Sequence, residues 1–340
     1  MNILITGGAG FLGSQLAARL LKRGEFAGQP ISQLMLADIA TPQGPLLADA
    51  RVRSQVGDLA ASLPALMTQP WHMVFHLASA VSAECERDFG LGLHANLDAT
   101  RALLEGLRAQ AERGGPVARL FFSSSVAVFG GDAVLPLPEV VRDGTPPLPQ
   151  SSYGTHKAMC ELLVADYTRK GFIDGRSARL MTVSVRPGRP NGAASGFLSG
   201  MLREPLAGQV SNCPVPLNTR VALASPDSTL RGILAVAEAS AAQLGSRAAI
   251  NLPALSTTAG EMLEALAQVA GSEARGLVSQ TPDAGITAIV GGWPARFDHA
   301  RASALGLAPD PDFATILRQY IDAHPDAVQL PSARQRLGWT

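Results

Sequence analysis

Residues 1–13 of the chain, MNILITGGAGFLG, decide the fold. Asn2–Thr6 is a short apolar run that predicts a buried strand, and the leucine spacing over Ser14–Arg23 predicts a helix. The glycines between them fit two spacings at once, GxGxxG from Gly8 and GxxGxxG from Gly7. Glycine permits positive φ and lets the backbone approach an anion at a helix N-terminus. This strand, turn and helix therefore predict a phosphate-binding site of the dinucleotide type.

An acidic residue, Asp38, ends the next predicted strand, Leu34–Ala37. A carboxylate there accepts hydrogen bonds from both ribose hydroxyls of an adenosine, whereas a 2′-phosphate would be repelled by it. Residues 39–50 contain no Arg or Lys that would offset the repulsion, so we expect NAD rather than NADP. The alternatives are that the glycines form a purely structural turn and that Asp38 is a solvated carboxylate. The order of strand, turn, helix and acidic residue argues against both. The cofactor contacts expected in this unit are Gly7, Gly10, Phe11, Leu12, Gly13 and Asp38.

Strand and helix patterns alternate through the first half of the chain, which is typical of crossover units on a parallel sheet. Further strands are expected at Met73–Leu77, Leu120–Ser123 and Leu180–Arg186, and long helices at 94–113, 152–169 and 228–243. We predict an α/β fold, a Rossmann-type doubly wound parallel sheet with a smaller C-terminal α/β substrate domain. The alternation fades after Pro187, so the NAD-binding domain is expected at 1–187 and the substrate-binding portion at 188–340, with returns to the sheet around 219–243.

Composition limits the classes of partner. Lys plus Arg and Asp plus Glu each number 28, and this absence of a basic surplus argues against nucleic acid. The three cysteines lie far apart without a CxxC pair, and the histidines lack metal-ligand spacing, so neither disulfides nor a metal site is expected. No leader peptide and no apolar run of membrane-spanning length is seen, which predicts a cytoplasmic protein with no membrane partner.

A second pattern, YGTHK at Tyr153–Lys157, places a tyrosine and a lysine on one face of a helix. A free phenol, with a pKa of about 10, is a poor base at neutral pH. A neighbouring ammonium and a positive nicotinamide favour the phenolate, which can then take a proton from a hydroxyl. A packed tyrosine beside a surface lysine is the alternative. The serine-rich strand end at 122–130, FSSSVAVFG, argues for the catalytic interpretation and adds Ser125.

With these motifs the sequence resembles the extended short-chain dehydrogenases/reductases, which include the NAD-dependent epimerases and dehydratases. The resemblance covers residues 1–190 and implies a catalytic serine at Ser125, a proton acceptor at Tyr153 and its activator at Lys157. Ser125 as a strand-end cap, Asn96 as a hydrogen bond inside a helix and Pro187 as a strand terminator are structural alternatives. The further cofactor contacts that the resemblance implies are Asp58, Leu59, Leu77, Ala78, Ser79, Asn96, Ser123, Tyr153, Lys157 and Pro187.

Three activities share such a fold: oxidation of a small hydroxylated substrate, epimerisation or dehydration of a sugar nucleotide, and non-enzymatic NAD sensing. The complete catalytic set argues against a sensor. Sugar-nucleotide epimerases usually carry an Arg-Asp-Phe strand leading to Val-x-Asp-Asp, whereas residues 219–227 read TRVALASPD and keep only the arginine. Residues 186–197, RPGRPNGAASGF, with REPL at 203–206, instead resemble family members that oxidise a small sugar acid.

The predicted function is therefore NAD-dependent oxidation of a small sugar acid at C2, with Tyr153 as the base. A carboxylate substrate needs a cationic partner, and arginine can bind it through two parallel hydrogen bonds. Each residue proposed below as a substrate contact has a surface or structural role as the alternative. The substrate contacts expected from the sequence are Ser82, Ser125, Arg189, Asn191 and Arg220. A homodimer is also expected, because family members commonly pair the helices corresponding to 94–113 and 152–169.

Overall fold

The computed structural model describes residues 1–188 and 194–339, and its centre is a seven-stranded parallel sheet. The strands are β1 (Asn2–Thr6), β2 (Glu25–Phe26), β3 (Gln29–Pro30), β4 (Gln33–Asp38), β5 (Val52–Val56), β6 (Met73–His76), β7 (Arg119–Ser125), β8 (Asp174–Leu180), β9 (Thr182–Val183), β10 (Ser211–Asn212), β11 (Arg220–Ala224), β12 (Ile250–Asn251), β13 (Leu255–Thr258) and β14 (Val278–Ser279). The order in the central sheet is β12-β8-β7-β6-β1-β4-β5.

Helices cover both faces of this sheet. They are α1 (Phe11–Arg23), α2 (Leu59–Leu66), α3 (Ser82–Arg87), α4 (Phe89–Gly92), α5 (Ala99–Glu112), α6 (Ser152–Arg169), α7 (Phe197–Leu206), α8 (Pro226–Glu238), α9 (Ala241–Leu244), α10 (Ala259–Ala270), α11 (Ser272–Gly276), α12 (Ala284–Gly291), α13 (Ala300–Ala304), α14 (Phe313–Ala323) and α15 (Pro331–Arg336). Side chains alternate across β1: Ile3 and Ile5 pack with α1 and α8, whereas Leu4 packs with α2, α5 and α6.

The winding of the sheet reverses between β1 and β6. From β1 the chain moves outward to β4 and β5, then returns to β6 and continues through β7 and β8. In open α/β sheets, ligands bind at the carboxyl ends of the strands beside such a reversal. The glycine turn follows β1 and the loop from Leu77 follows β6, so both meet there. The expected doubly wound parallel sheet is confirmed.

Three predicted elements differ from the structure. The helix expected over 228–243 is divided into α8 and α9 by Ala239 and Ser240. The expected helix over 94–113 begins with a π-helical segment, Leu93–Asp98, before α5. There the Thr100 hydroxyl donates to the carbonyl oxygen of Asn96 at 2.5 Å. The strand expected over Leu180–Arg186 lies earlier, as β8, and only the two-residue β9 follows it.

A second core lies in the C-terminal half, where buried side chains of α7, α10 and α14 pack together. Met201, Met262 and Ile316 are members, and Leu223 of β11 joins them. α8 packs on the central sheet instead, and β12 pairs with β8 at its edge. The domain division at residue 187 stays a prediction. Within residues 1–188 and 194–339, no helix is long and apolar enough to cross a membrane.

Candidate active site

One cavity of about 1640 Å³ runs from the glycine turn after β1 to the N-terminus of α6 and on to α12. It is larger than the ~300–1000 Å³ usual for one small ligand. Its size suits a dinucleotide with a substrate beside it.

The glycine turn forms one end of this cavity, and its shape depends on having no side chains. A Cβ at Gly13 would lie 2.0 Å from the carbonyl oxygen of Gly7, and one at Gly7 would lie 2.8 Å from the backbone nitrogen of Ala78. The N-cap of α1 is Gly10, so no side chain caps the first N–H groups of the helix, and residues 10–13 line the cavity. Exposed N–H groups at a helix N-terminus bind phosphate, and the turn therefore fits a pyrophosphate.

Asp38 lies in the cavity wall and also fixes the turn. Its two carboxylate oxygens accept hydrogen bonds from the backbone N–H groups of Ala9 at 2.9 Å and Ala40 at 3.0 Å. Its neighbours in the cavity wall, from the glycine turn and from Ile39 to Leu59, include no Lys or Arg among the described residues. This arrangement suits a ribose with free hydroxyls and disfavours a 2′-phosphate.

The predicted catalytic side chains meet at the middle of the cavity. Ser125 ends β7, and its hydroxyl accepts a hydrogen bond from the N–H of Ala127 at 3.1 Å. Tyr153 and Lys157 lie on the first turns of α6, which Ser151 caps. A Cβ at Gly154 would lie 2.0 Å from the carbonyl oxygen of Ala127, so glycine at this position lets α6 abut the serine loop.

Burial changes the protonation of both titratable groups. It raises the pKa of Tyr153 to about 12, and hydrogen bonds with Ser125 and Ser79 only partly oppose the rise. Burial lowers the pKa of Lys157 to about 8, and the ammonium donates to the carbonyl oxygen of Ser123 at 2.8 Å. The expected activation by Lys157 is thus not the dominant influence on the tyrosine. At neutral pH the protein alone holds Tyr153 as a phenol and Lys157 mainly as an ammonium.

A buried ion pair supports this arrangement from behind. Glu161 of α6 accepts two hydrogen bonds from Arg179 of β8, at 2.9 and 2.7 Å, and a third from the hydroxyl of Ser124. The pair therefore ties α6 to β7 and β8 directly beneath the serine loop. Leaving one buried partner without the other costs about 3–5 kcal/mol.

The structure brings most of the predicted site residues into the cavity wall. These are Gly7, Gly10, Phe11, Leu12, Gly13, Asp38, Asp58, Leu59, Leu77, Ala78, Ser79, Ser82, Ser123, Ser125, Tyr153 and Lys157. Asn96, Pro187 and Arg220 are not among the described lining residues, and Arg220 is exposed at the start of β11. Arg189 and Asn191 lie outside the described residues.

Asn96 supports the site from a buried position. Its amide oxygen accepts hydrogen bonds from the N–H of Ala80 at 2.7 Å and the hydroxyl of Ser79 at 3.0 Å. Its amide nitrogen donates to the carbonyl oxygen of Ala80 and to the sulfur of Cys85. Asn96 thus holds the loop after β6, which agrees with the structural alternative and not with direct cofactor contact.

Sequence reasoning missed several lining residues. Ile286, Ile289 and Trp293 reach the cavity from α12 and the turn after it, more than a hundred residues beyond Tyr153. Thr182 and Arg186 line it from the segment after β8. In the sequence both residues fall inside the strand expected over Leu180–Arg186, which gave no reason to assign them to the cavity. In the described part of the chain, no three His, Cys, Asp or Glu side chains come together as a metal site would require.

Residues 3–245 match the NAD dependent epimerase/dehydratase family. The chain belongs to this family. Family membership makes NAD its cofactor, as the glycine turn and Asp38 predicted, and the cavity wall fits it. Two curated relatives and one crystal structure resemble almost the whole chain.

Two curated relatives carry the name D-erythronate dehydrogenase. The one from Cupriavidus necator is 49% identical over 330 residues, which cover 95% of this chain and 98% of the relative. The one from Haemophilus influenzae is 42% identical over 324 residues, which cover 95% of this chain and 99% of the relative. A crystal structure described as a nucleoside-diphosphate-sugar epimerase from Agrobacterium tumefaciens superposes with a TM-score of 0.90 at 39% identity, covering 96% of this chain and 95% of that one.

Proposed function

We propose that the chain oxidises D-erythronate at C2 to 2-dehydro-D-erythronate with NAD. The observation that carries the proposal is the near full-length similarity to two D-erythronate dehydrogenases. The Ser125, Tyr153 and Lys157 side chains in one cavity support it, because they supply what oxidation of a secondary alcohol requires. The substrate is a small polyhydroxy acid, and we propose the cavity beyond Tyr153, toward α12, as its site.

In this proposal the chain's own residues bind the C2 hydroxyl and remove its proton. When bound, NAD supplies the acceptor for the hydride that leaves C2 and a positive charge beside the phenol. Ser125 and Tyr153 hold the C2 hydroxyl by hydrogen bonds, and Tyr153 removes its proton as the carbonyl forms. Lys157 keeps a positive charge near the tyrosine and is fixed by the carbonyl oxygen of Ser123.

A substrate panel tests the proposal. Purified protein with excess NAD is incubated with sugar acids of four to six carbons and, separately, with UDP-glucose and UDP-galactose, while NADH absorbance and sugar products are followed. We expect NADH formation with D-erythronate and none with the sugar nucleotides. Conversion of a sugar nucleotide with no activity on any sugar acid would reject the proposal in favour of epimerase activity, the activity named for the Agrobacterium structure.

Removing the charge of Asp38 is expected to weaken discrimination between the two cofactors. The wild-type protein should bind NAD at least about 100-fold more tightly than NADP, since a 2′-phosphate would lie against this carboxylate. Asp38→Ala should reduce the ratio to below about tenfold, mainly by weakening NAD. Fluorescence titration with both cofactors measures the ratio. Asp326→Ala, at an exposed aspartate outside the cavity, is the control, and equal wild-type affinities would contradict the argument.

We also propose a homodimer through α5 and α6. On α6, Leu162 is 73% exposed and Met159, one turn earlier, is 42% exposed, so an apolar strip faces outward. Leu162→Asp is expected to weaken self-association at least about tenfold, because it would bury a charge in the contact. Sedimentation equilibrium measures it. Leu135→Asp, at an exposed leucine outside both helices, is the matched control, and a monomeric wild-type protein at micromolar concentration would reject the dimer.

A further inference from the structure

Arg186 stands out among the arginines whose side chains are at least partly buried. The others have partners: Arg179 binds Glu161, Arg176 binds Asp174, and Arg301 donates to carbonyl oxygens such as that of Ala249. Within residues 1–188 and 194–339, no oxygen atom accepts a hydrogen bond from the Arg186 guanidinium. A charged group that is partly removed from water without a partner is costly, so such an arginine needs an explanation.

The position of Arg186 provides that explanation, because Arg186 lines the cavity that Ser125 and Tyr153 also line. Its backbone is fixed on both sides: its N–H donates to the hydroxyl of Ser199 at 3.0 Å, and its carbonyl oxygen accepts from Arg203 at 2.9 Å. The base of the side chain is therefore held in place.

The charges around Arg186 favour an anion in the cavity. Burial, and after it the positive charge of Arg203, lowers the pKa of Arg186. The carboxylate of Glu204 lies 2.5 Å from the guanidinium of Arg203 and neutralises that group. No described carboxylate does the same for Arg186.

We propose that Arg186 binds the carboxylate of the substrate and thereby orients C2 toward Ser125 and Tyr153. The inference rests on the proposed oxidation of a sugar acid and names the residue that recognises the acid. A planar guanidinium pairs with a carboxylate through two parallel hydrogen bonds, which fixes the orientation as well as the position of the acid. The arginines that the sequence suggested for this role were Arg189, outside the described residues, and Arg220, outside the cavity wall.

The test compares D-erythronate with D-erythronamide, a neutral isostere, in the wild-type protein and in Arg186→Gln. Removing one partner of a desolvated charge pair costs about 2–5 kcal/mol, so KM for the acid should rise about 30-fold or more. KM for the amide and the Kd of NAD should change less than about threefold. Arg318→Gln, at an exposed arginine on α14, is the matched control and should change neither KM.

Arg186→Lys provides a second measurement if the glutamine variant fails to fold. It keeps the charge but loses the paired hydrogen bonds, so KM for the acid should rise about tenfold and that for the amide should not. A folded Arg186 variant with KM for the acid within threefold of wild type would overturn this inference alone. Wild-type protein that oxidises no sugar acid would overturn the proposed function and this inference with it.

Discussion

Replacing Tyr153 by Phe is expected to lower kcat for sugar-acid oxidation by about 10³-fold, because the variant keeps the ring but loses the group that takes the proton. The Kd of NAD should change less than about threefold, since the hydroxyl contributes little to cofactor binding. Steady-state NADH formation and calorimetric titration with NAD measure the two quantities separately. The same substitution at Tyr167 provides the control, because that residue lies on the same helix and its hydroxyl bonds Glu105 outside the cavity. A kcat for Tyr153→Phe within tenfold of wild type would exclude this tyrosine as the base.

The pKa of Tyr153 makes the expected kcat depend on pH. Burial raises this pKa to about 12, so the phenolate fraction grows as pH rises. Lys157, whose pKa burial lowers to about 8, is half deprotonated near that pH and loses the rest of its positive charge above it. We therefore expect kcat to rise between pH 6 and pH 8 and to stop rising above that range. A flat profile over the lower range would show that removal of this proton does not limit the rate.

The NAD-binding half could be predicted from sequence because its signals are local. The stretch from β1 to Asp38 is one strand, turn, helix and strand unit. Its signals are an apolar run, a turn that tolerates no Cβ, a helical pattern and an acidic residue, and they all lie close together in the sequence. The structure confirms the elements of this unit. That Tyr153 and Lys157 lie on one face of a helix could be predicted from their four-residue spacing alone.

The segment after residue 170 was harder to predict because its strand, β8, carries charged residues at buried positions. β8 contains Arg176 and Arg179, two charged residues that argue against a buried strand in the sequence alone. In the fold Arg179 is neutralised by Glu161, and Arg176 donates to the carbonyl oxygens of Ala237 and Ala239. These partners are distant in sequence, so only the tertiary structure shows why the charges are tolerated.

The end of the cavity toward α12, which we propose as the substrate site, could not be predicted for the same reason. Ile286 and Trp293 reach it through the packing of the C-terminal core, and no periodicity in α12 indicates an active-site wall. In the sequence Arg186 begins the RPGRPNGAASGF stretch before Pro187, but nothing there assigned it to the substrate. The proposal for Arg186 depends on which arginines have carboxylate partners, and contacts such as that between Arg203 and Glu204 appear only in the tertiary structure.

Adding one methyl group at Gly13 is expected to abolish productive cofactor binding. In Gly13→Ala the Cβ would lie 2.0 Å from the carbonyl oxygen of Gly7 and 2.9 Å from the Cα of Gly8. Both are backbone atoms of the turn, so the clash can be relieved only by moving the N-terminus of α1 away from it. Because the N–H groups at the N-terminus of α1 would then no longer lie against the pyrophosphate, the Kd of NAD should rise by at least about 100-fold.

The matched control for Gly13→Ala is Gly276→Ala, because a Cβ at Gly276 meets nothing within 4 Å. Thermal unfolding without cofactor separates loss of binding from loss of fold. Overpacking costs about 1–3 kcal/mol, so the Gly13 variant should be less stable but still folded at room temperature. Gly276→Ala should match the wild type in both NAD affinity and melting temperature. If Gly13→Ala bound NAD within threefold of wild type, the close approach of α1 to the turn would not be what shapes the cofactor site.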